Sequence, residues 1–370
     1  MRPITCLVLL LAPVLDAAAG EEEDVLTVRM AGRAEGTGQS ARTAAIEDAQ
    51  QEVMGAMLRA LGLSDLKAMR PVLRRAGRYI QSYDLLRHDS TGDTTRVEID
   101  AQVLERPFRQ DVAAIMLPRL PEPPRVLLLL GERIGTHSAF TIPEGGAAET
   151  ELRERLDRLG LTVSGAASVR SRCSAAALKA AVLDEGGAGR RFAVESLADV
   201  AVIGTAVTAS ESQPDGSTLV RNTAEVTLRV FRGFDGKMTD VLAASAVVRS
   251  VHPHEGGEQA VRDACAKLVA DTLVASVITV LGTQAPDTLI LTVKGHANRS
   301  RLYSVLRTLK SSPFVGAVEE VFCSDALARY RVAYDGPMLD LVDLLTPGVY
   351  EGRPLEVEQV IQRNMILFFP

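Results

Sequence analysis

One stretch of this chain, residues 198–250, constrains the fold more than any other. Within it Glu225, Thr227 and Arg229 alternate with more apolar neighbours, and two Asp-Gly turns divide the stretch into three runs. Alternation with period two predicts strands with one buried and one wet face, and the turns predict antiparallel neighbours. A long helix predicted at 258–281 follows directly. Because that helix needs an apolar face to pack on, the region predicts one sheet-and-helix domain.

Composition limits the chemistry that the chain can carry. The stretch 198–250 has no histidine, cysteine or glycine-rich phosphate loop, so it predicts an interaction domain and not a catalytic centre. A net charge of −6 argues against a nucleic-acid surface. Aromatic residues make up 4% of the chain and tryptophan is absent, which argues against stacking platforms for bases or sugars. We therefore expect no nucleic-acid partner, no cofactor and no enzymatic activity.

The first 19 residues have the pattern of an export signal. Arg2 precedes a short apolar core at 7–15, and an Ala-Ala-Ala run that ends at Ala19 offers a cleavage site. The core is shorter than the roughly 20 residues that span a bilayer, although an uncleaved anchor is the alternative. Cys6 precedes the apolar core, too early for a lipidation cysteine. We expect cleavage near Ala19 and a periplasmic protein, peripheral to the outer membrane at most.

Export leaves three widely spaced cysteines, Cys173, Cys265 and Cys323. An odd number at such spacing indicates neither a disulfide framework nor a zinc site. Cys265 falls on the apolar stripe of the predicted long helix, where it is most simply a small buried hydrophobe.

The region 25–116 predicts a first domain of one strand, a helix at 40–61, a short helix at 64–76 and two more strands. Small side chains on the long helix would let it lie close on the sheet. The segments AEG (34–36), ARTAAIEDAQQEVMGAML (41–58), YIQSYDLL (79–86) and TRVEIDAQV (95–103) resemble the N-terminal domain of the flagellar assembly protein T family. The resemblance is one of packing positions, so it implies a fold and brings no chemistry.

Four prolines at 117–124 predict a linker, and 124–282 predicts a middle domain. Helices are expected at 150–159 and 173–183, and the glycines at 186–189 predict a flexible loop. The segments PRVLLLL (124–130), ADVAVIGTAV (198–207), VTLRVFRGFDGKMTDV (226–241) and AVRDACAKLVADTL (260–273) are similar to the anticodon-binding-like α/β domain of the Tol translocation propeller protein. They are also similar to the curli-secretion lipoprotein and to the middle domain of flagellar assembly protein T. The missing lipid-anchor cysteine argues against the curli-secretion branch.

A break at 283–286 precedes a third domain at 287–370, which predicts two successive β-α-β units in ferredoxin-like order. Its helices are expected at 299–310 and 337–345, and its last strand pair at 355–369. The segment LTVKGHANRSRLYSVLRTLKSSPFVGAVEEV resembles the tail of an exported family of unknown function. The predicted fold class is therefore α/β (α+β), with three small sheet-plus-helix domains.

Two groups of residues are candidates for a bound ligand. His252, His254 and Glu255 are close enough in sequence for a metal, although metal sites normally need three or four ligands and a polar loop before a helix is the favoured interpretation. The run Gly131-Glu132-Arg133-Ile134-Gly135 follows a strand but lacks the third glycine of a dinucleotide site and the lysine of a P-loop.

Two further groups are candidates for an interface. Arg74, Arg75 and Arg78 could meet an acidic partner or lipid headgroups, and a solvated helix face is the simpler interpretation. The second half of the predicted helix at 258–281 is apolar almost all round and must be covered on every side. We expect Val274 and Val277 to lie in a contact between domains or subunits.

The two consecutive resemblances indicate an exported, non-enzymatic scaffold of an envelope machine, in particular a ring around the flagellar basal body. Its partners would be envelope proteins, including further copies of itself, close to the outer membrane or peptidoglycan. One alternative is a metal-dependent binding protein or enzyme that uses His252, His254 and Glu255. Another is an accessory protein of curli-type secretion or of the outer membrane.

Overall fold

The computed structural model describes residues 25–61, 63, 66–120, 122–135, 139–170, 173–212, 218–281, 288–346, 348–361 and 364–370. The predicted export signal and the break at 283–286 lie outside these residues. The described chain forms two compact units, one built from residues up to 53 and 75–108, the other from 54–74 and 109–370. Both contain helices and strands, which confirms the α+β class. The three predicted domain boundaries stay predictions.

The first unit contains a three-stranded antiparallel sheet in the order β1-β3-β2. Its strands are β1 (Val25–Glu35), β2 (Ile80–Thr91) and β3 (Thr94–Leu104). The helices that belong to it in whole or part are α1 (Gln39–Ala60), α3 (Ala76–Tyr79) and α4 (Glu105–Met116). Between α1 and α3 the chain forms α2 (Arg70–Leu73), which is shorter than the helix predicted at 64–76.

Helix α1 lies unusually close to β1. Ala45 and Ala49, two of its small residues, are fully buried. A Cβ atom built on Gly32 of β1 would overlap the backbone of both alanines. The small side chains therefore set the distance between helix and sheet, as the sequence predicts.

We expect Gly32→Ala to lower the free energy of unfolding by about 2 kcal/mol or more, because the added methyl group meets backbone atoms that cannot rotate away. Gly77→Ala is the matched control, since a Cβ at Gly77 meets nothing within 4 Å. Urea denaturation of the two variants measures the difference. Equal stability of both would contradict the close packing of α1.

The second unit contains a five-stranded sheet in the order β5-β4-β6-β7-β8. Its strands are β4 (Arg125–Arg133), β5 (Thr162–Ser164), β6 (Val200–Ser212), β7 (Val220–Arg232) and β8 (Met238–Ser250). The first three in that order are parallel, and β6, β7 and β8 form an antiparallel meander. The three runs of the sequence pattern are confirmed as these three strands.

Helices cover this sheet on both sides. α5 (Ala147–Arg158) and α9 (Pro253–Leu281) pack on one face, and α6 (Ala167–Arg170), α7 (Ala175–Leu183) and α8 (Ala188–Glu195) pack on the other. α9 begins five residues before its predicted start because proline suits the first turn of a helix. Within the described chain it is the helix whose length and hydropathy would allow a membrane span, and 72% of that apolar segment is buried in the protein.

The loop predicted at 186–189 is wrong in its extent, because Ala188 and Gly189 belong to a helix. Gly186 and Gly187 have positive φ and make a tight connection between α7 and α8, and α8 begins directly afterwards at Ala188. The carboxylate Oδ1 of Asp184 accepts a hydrogen bond from the backbone N–H of Gly189 at 3.0 Å. Gly186 and Gly187 supply the left-handed backbone conformations that this turn requires.

A second five-stranded sheet ends the chain, in the order β10-β11-β9-β15-β14. Its strands are β9 (Thr288–Lys294), β10 (Val315–Cys323), β11 (Leu327–Tyr334), β14 (Glu356–Ile361) and β15 (Asn364–Phe368). The helices α10 (Arg299–Leu309) and α11 (Met338–Leu345) and the small ladder β12 (Val349–Tyr350) with β13 (Arg353–Pro354) complete it. Four strands follow the ferredoxin-like order. β15 runs parallel to β9 because the chain reverses once more at the β14–β15 hairpin.

Candidate functional site

The two sheets of the second unit meet at a buried arginine. Arg329 on β11 is 6% exposed, and its Nε donates a hydrogen bond to Thr292 Oγ1 on β9 at 3.2 Å. Its Nη1 donates to the carbonyl oxygens of Gly233 and Phe234, the latter at 3.3 Å. Those two carbonyls belong to the turn between β7 and β8, so the last sheet holds that turn through one guanidinium.

Charges around this turn are paired. Burial lowers the pKa of Arg329 to about 10, while Asp199 and Asp235 act against that shift. Arg125 donates two side-chain hydrogen bonds to Asp199, at 2.9 and 3.1 Å. Burial alone would raise the pKa of Asp235, but the hydrogen bond from Arg232 contributes to holding it below its ordinary value. With a pKa of about 10 for Arg329 and a lowered pKa for Asp235, both side chains are charged at neutral pH.

The first sheet of this unit has one packed face and one partly open face. Ala206, Val226 and Ala244 lie opposite one another and belong to the core under α9. The side chains between them along each strand point the other way, because strand residues alternate. On that second face the core under α7 and α8 includes Ile203 and Phe231, and beyond it the strands are open.

Three cross-strand rows of the open face form what we call the outer patch. None of its nine side chains is buried, and Glu225 is the one charged member. Its rows are Thr205–Thr227–Ala243, Val207–Glu225–Ser245 and Ala209–Thr223–Val247. Most of these side chains are small or β-branched, so the patch is flat and nearly uncharged.

The edge strand β8 is partly protected against strand addition. It is the terminal strand of its sheet, with 13 residues. Lys267 of α9 donates a hydrogen bond from Nζ to the carbonyl oxygen of Ser245 at 2.7 Å. A lysine at a sheet edge is a common protection against pairing with another chain. The open face is therefore a better contact surface than the edge.

The candidate metal residues lie at the exposed start of α9. His252, His254 and Glu255 are all exposed, and Nε2 of His254 is 3.3 Å from Oε1 of Glu258. Within the described chain no group of three or more His, Cys, Asp or Glu side chains is placed to hold a metal ion.

The interface candidates fall into two groups. Arg74, Arg75 and Arg78 are exposed. Val274 and Val277 are 8% and 0% exposed, so the apolar end of α9 is buried. Nearby, Thr279 Oγ1 lies 2.9 Å from Thr239 Oγ1 of β8. The role of these residues in a contact between domains or subunits stays a prediction.

The run at 131–135, considered above as a phosphate loop, contains a buried carboxylate, that of Glu132. Glu132 is 5% exposed, and its carboxylate accepts hydrogen bonds from the backbone N–H groups of Ala147 at 3.2 Å and Ala148 at 2.8 Å. These N–H groups belong to the first turn of α5, where a negative charge is favourable. The carboxylate thus occupies the position that a phosphate would take.

Two buried carboxyls should make stability depend on pH. Burial raises the pKa of Glu132 and of Glu149. Backbone N–H groups partly offset the shift at Glu132, and the charge of Arg153 is the largest offset at Glu149. The folded state therefore holds these protons more tightly than the unfolded chain does. Their contribution to stability is fully present at and below the ordinary carboxyl pKa of about 4.5 and should be lost as the pH rises through the raised pKa values.

Urea denaturation across a pH series tests this dependence, with Glu132→Gln as the comparison. The glutamine does not titrate, so its free energy of unfolding should decline less steeply with pH than that of the wild type. The slope is the readout, since the substitution also changes the hydrogen bonds to α5. Identical slopes would contradict the assignment.

Comparison with known proteins finds only partial similarity. The chain matches no protein-family model and no curated protein by sequence. Among solved structures, a dodecameric PelC variant from Paraburkholderia phytofirmans is 15% identical with a TM-score of 0.22, covering 44% of this chain and 90% of that one. Lipoprotein GNA1162 from Neisseria meningitidis is 15% identical with a TM-score of 0.24, covering 40% and 99%. Protein XCC0632 from Xanthomonas campestris, described as DUF330, is 11% identical with a TM-score of 0.25, covering 42% and 89%. TM-scores this low supply neither a function nor a partner.

Proposed function

We propose that this protein is an exported, non-enzymatic scaffold of the cell envelope that assembles with further copies of itself through the outer patch. The observation that carries the proposal is the patch itself, with nine unburied side chains and a single charge, Glu225. The centres of protein interfaces are depleted in charged residues, as this patch is.

The charges that border the patch favour a second copy of this chain over a partner of strong net charge. The row that follows it contains Glu211, Arg221 and Arg249, so both signs of charge border the patch. Such a border suits two copies of one surface or two neighbouring surfaces of one chain. It offers no single-sign field to steer an acidic or basic partner.

The patch is the centre of a contact and not the whole of it. Strand and residue spacings give nine positions an area of about 300 Å². A stable interface buries about 800 Å² on each partner. The contact must therefore extend beyond the patch onto neighbouring parts of the same surface.

The finer proposal is a ring component of the flagellar basal body, supported by the two consecutive resemblances at 34–103 and 124–273. Deleting the gene and recording motility and basal-body rings by electron cryotomography tests it. We expect lost or incomplete rings and impaired swimming. Normal rings and swimming would contradict the flagellar role and leave the scaffold role standing, while recovery of the protein in the cytoplasmic fraction would contradict both.

A further inference from the structure

A cleft of about 530 Å³ opens in the second unit, between helices α6 and α8 on one side and the last sheet on the other. Glu195, at the end of α8, lines it from the helix side, and Lys294, Glu358 and Phe368 line it from the last sheet. Sites for small molecules have volumes of about 300–1,000 Å³. The cleft is separate from the outer patch and has no part in the proposed assembly.

The walls of the cleft are mostly apolar. Val169, Phe192 and Leu327 line it and are buried in the protein. Phe368 lines it too and remains 38% exposed. The exposed part of this aromatic ring is apolar surface in contact with water, and an apolar ligand would cover it.

The lining of the cleft has two acidic side chains and one basic side chain. Lys294 Nζ donates a hydrogen bond to Glu358 Oε2 at 2.6 Å, so its positive charge is paired within the cleft. Glu195 adds a second carboxylate. Burial raises the pKa of Glu195, and Arg191, outside the lining, acts against that shift. With two carboxylates and one ammonium group, the lining matches a cation better than an anion.

The rim contains a strained residue. Leu197 lines the cleft between α8 and β6 and has a φ of 61°. Leucine rarely adopts this left-handed conformation, and strain of this kind persists where the surrounding structure fixes it.

We propose that this cleft binds a small amphipathic organic cation. Its apolar body would lie against Phe192 and Phe368, and its positive group would lie between the carboxylates of Glu195 and Glu358. Neither the scaffold role nor the outer patch requires such a ligand, so the inference goes beyond the proposed function.

The thiol of Cys173 reports on occupancy because it also lines the cleft. Cys265 is fully buried and burial raises its pKa to about 12, so it should not react. Replacing Cys323 with serine removes the other partly exposed thiol of the described chain. The rate at which a maleimide labels Cys173 in the full mature chain is then measured with decyltrimethylammonium, decanoate or tetramethylammonium, below micelle-forming concentrations.

We expect decyltrimethylammonium to slow the labelling of Cys173, and decanoate and tetramethylammonium to protect far less at equal concentration. Glu195→Gln should weaken protection by decyltrimethylammonium about two- to fivefold, the range for a partly exposed ion pair. Glu211→Gln, the same charge change at the open end of β6, should leave protection unchanged. Equal protection by decanoate, no protection, or equal effects of the two glutamine variants would overturn the proposal.

A second variant tests the position of the ligand without relying on charge. Ala326 is exposed and lines the cleft, so Ala326→Trp should fill part of it and reduce protection by decyltrimethylammonium. The chain has no other tryptophan, so fluorescence of this variant reports folding and any remaining binding directly. Undiminished protection in Ala326→Trp would show that the cation binds elsewhere and would overturn the proposal.

Discussion

Arg329→Leu should lower the free energy of unfolding of the second unit by about 3 kcal/mol, the usual cost of removing one member of a buried, charge-assisted hydrogen-bond group. The substitution leaves the carbonyl oxygens of Gly233 and Phe234 and the hydroxyl of Thr292 without this donor. Loss of the buried cation relieves part of its desolvation cost, which keeps the expected effect below the sum of the three hydrogen bonds.

Arg331→Leu is the matched control, two residues along the same strand. Arg331 is 40% exposed in its side chain, pairs with Glu319 at 2.7 Å and lies 4.9 Å above the ring of Phe234. Exposed pairs contribute about 0–1 kcal/mol, so this variant should lose little stability. Urea denaturation gives both values, and limited proteolysis at 283–286 should be faster in Arg329→Leu alone. Equal losses in the two variants would contradict the role given to the buried guanidinium.

Two lysines placed on the outer patch should weaken self-association by about 100-fold or more, since each ammonium group must lose water or stay unpaired in the contact. The variant is Thr227→Lys with Ala243→Lys, two neighbours in one cross-strand row that are both exposed. Multi-angle light scattering across a concentration series should show smaller assemblies than the wild type forms.

The control for this variant is Thr162→Lys, on the edge strand β5 at the other end of the same sheet. Thr162 is exposed, so the added charge should be tolerated there with no change in assembly. Unchanged assembly in the double variant, or an equal loss in the control, would mean that copies meet through another surface.

The central sheet could be predicted because its signal is local. The alternation through Glu225, Thr227 and Arg229 fixes which side of β7 faces water, and the long apolar pattern of α9 supplies the opposite cover. Both follow from spacing within a few residues. The sequence also predicts the solvent-exposed face on which the outer patch lies. It does not show how few charges that face has, because this depends on how β6, β7 and β8 pair side by side.

The contact between the two sheets at Arg329 could not be predicted, because the hydrogen-bond acceptors of Arg329 are distant from it in sequence. The run from Leu327 to Tyr334 alternates, and an arginine in such a strand is normally expected to face solvent. Its acceptor at Gly233 lies 96 residues earlier in the chain, and nothing near either residue indicates the pairing. The parallel pairing of β15 with β9 has a related cause, because the strand pair predicted at 355–369 does not say which of its two strands lies next to β9.

Photocrosslinking in intact cells tests the central claim most directly. With p-benzoylphenylalanine placed at Ser245, in the middle row of the outer patch, irradiation should give a product of twice the mass of the mature chain. The same group at Thr162 should give no such product. Absence of the double-mass product at Ser245, or its appearance only at Thr162, would contradict assembly through the outer patch.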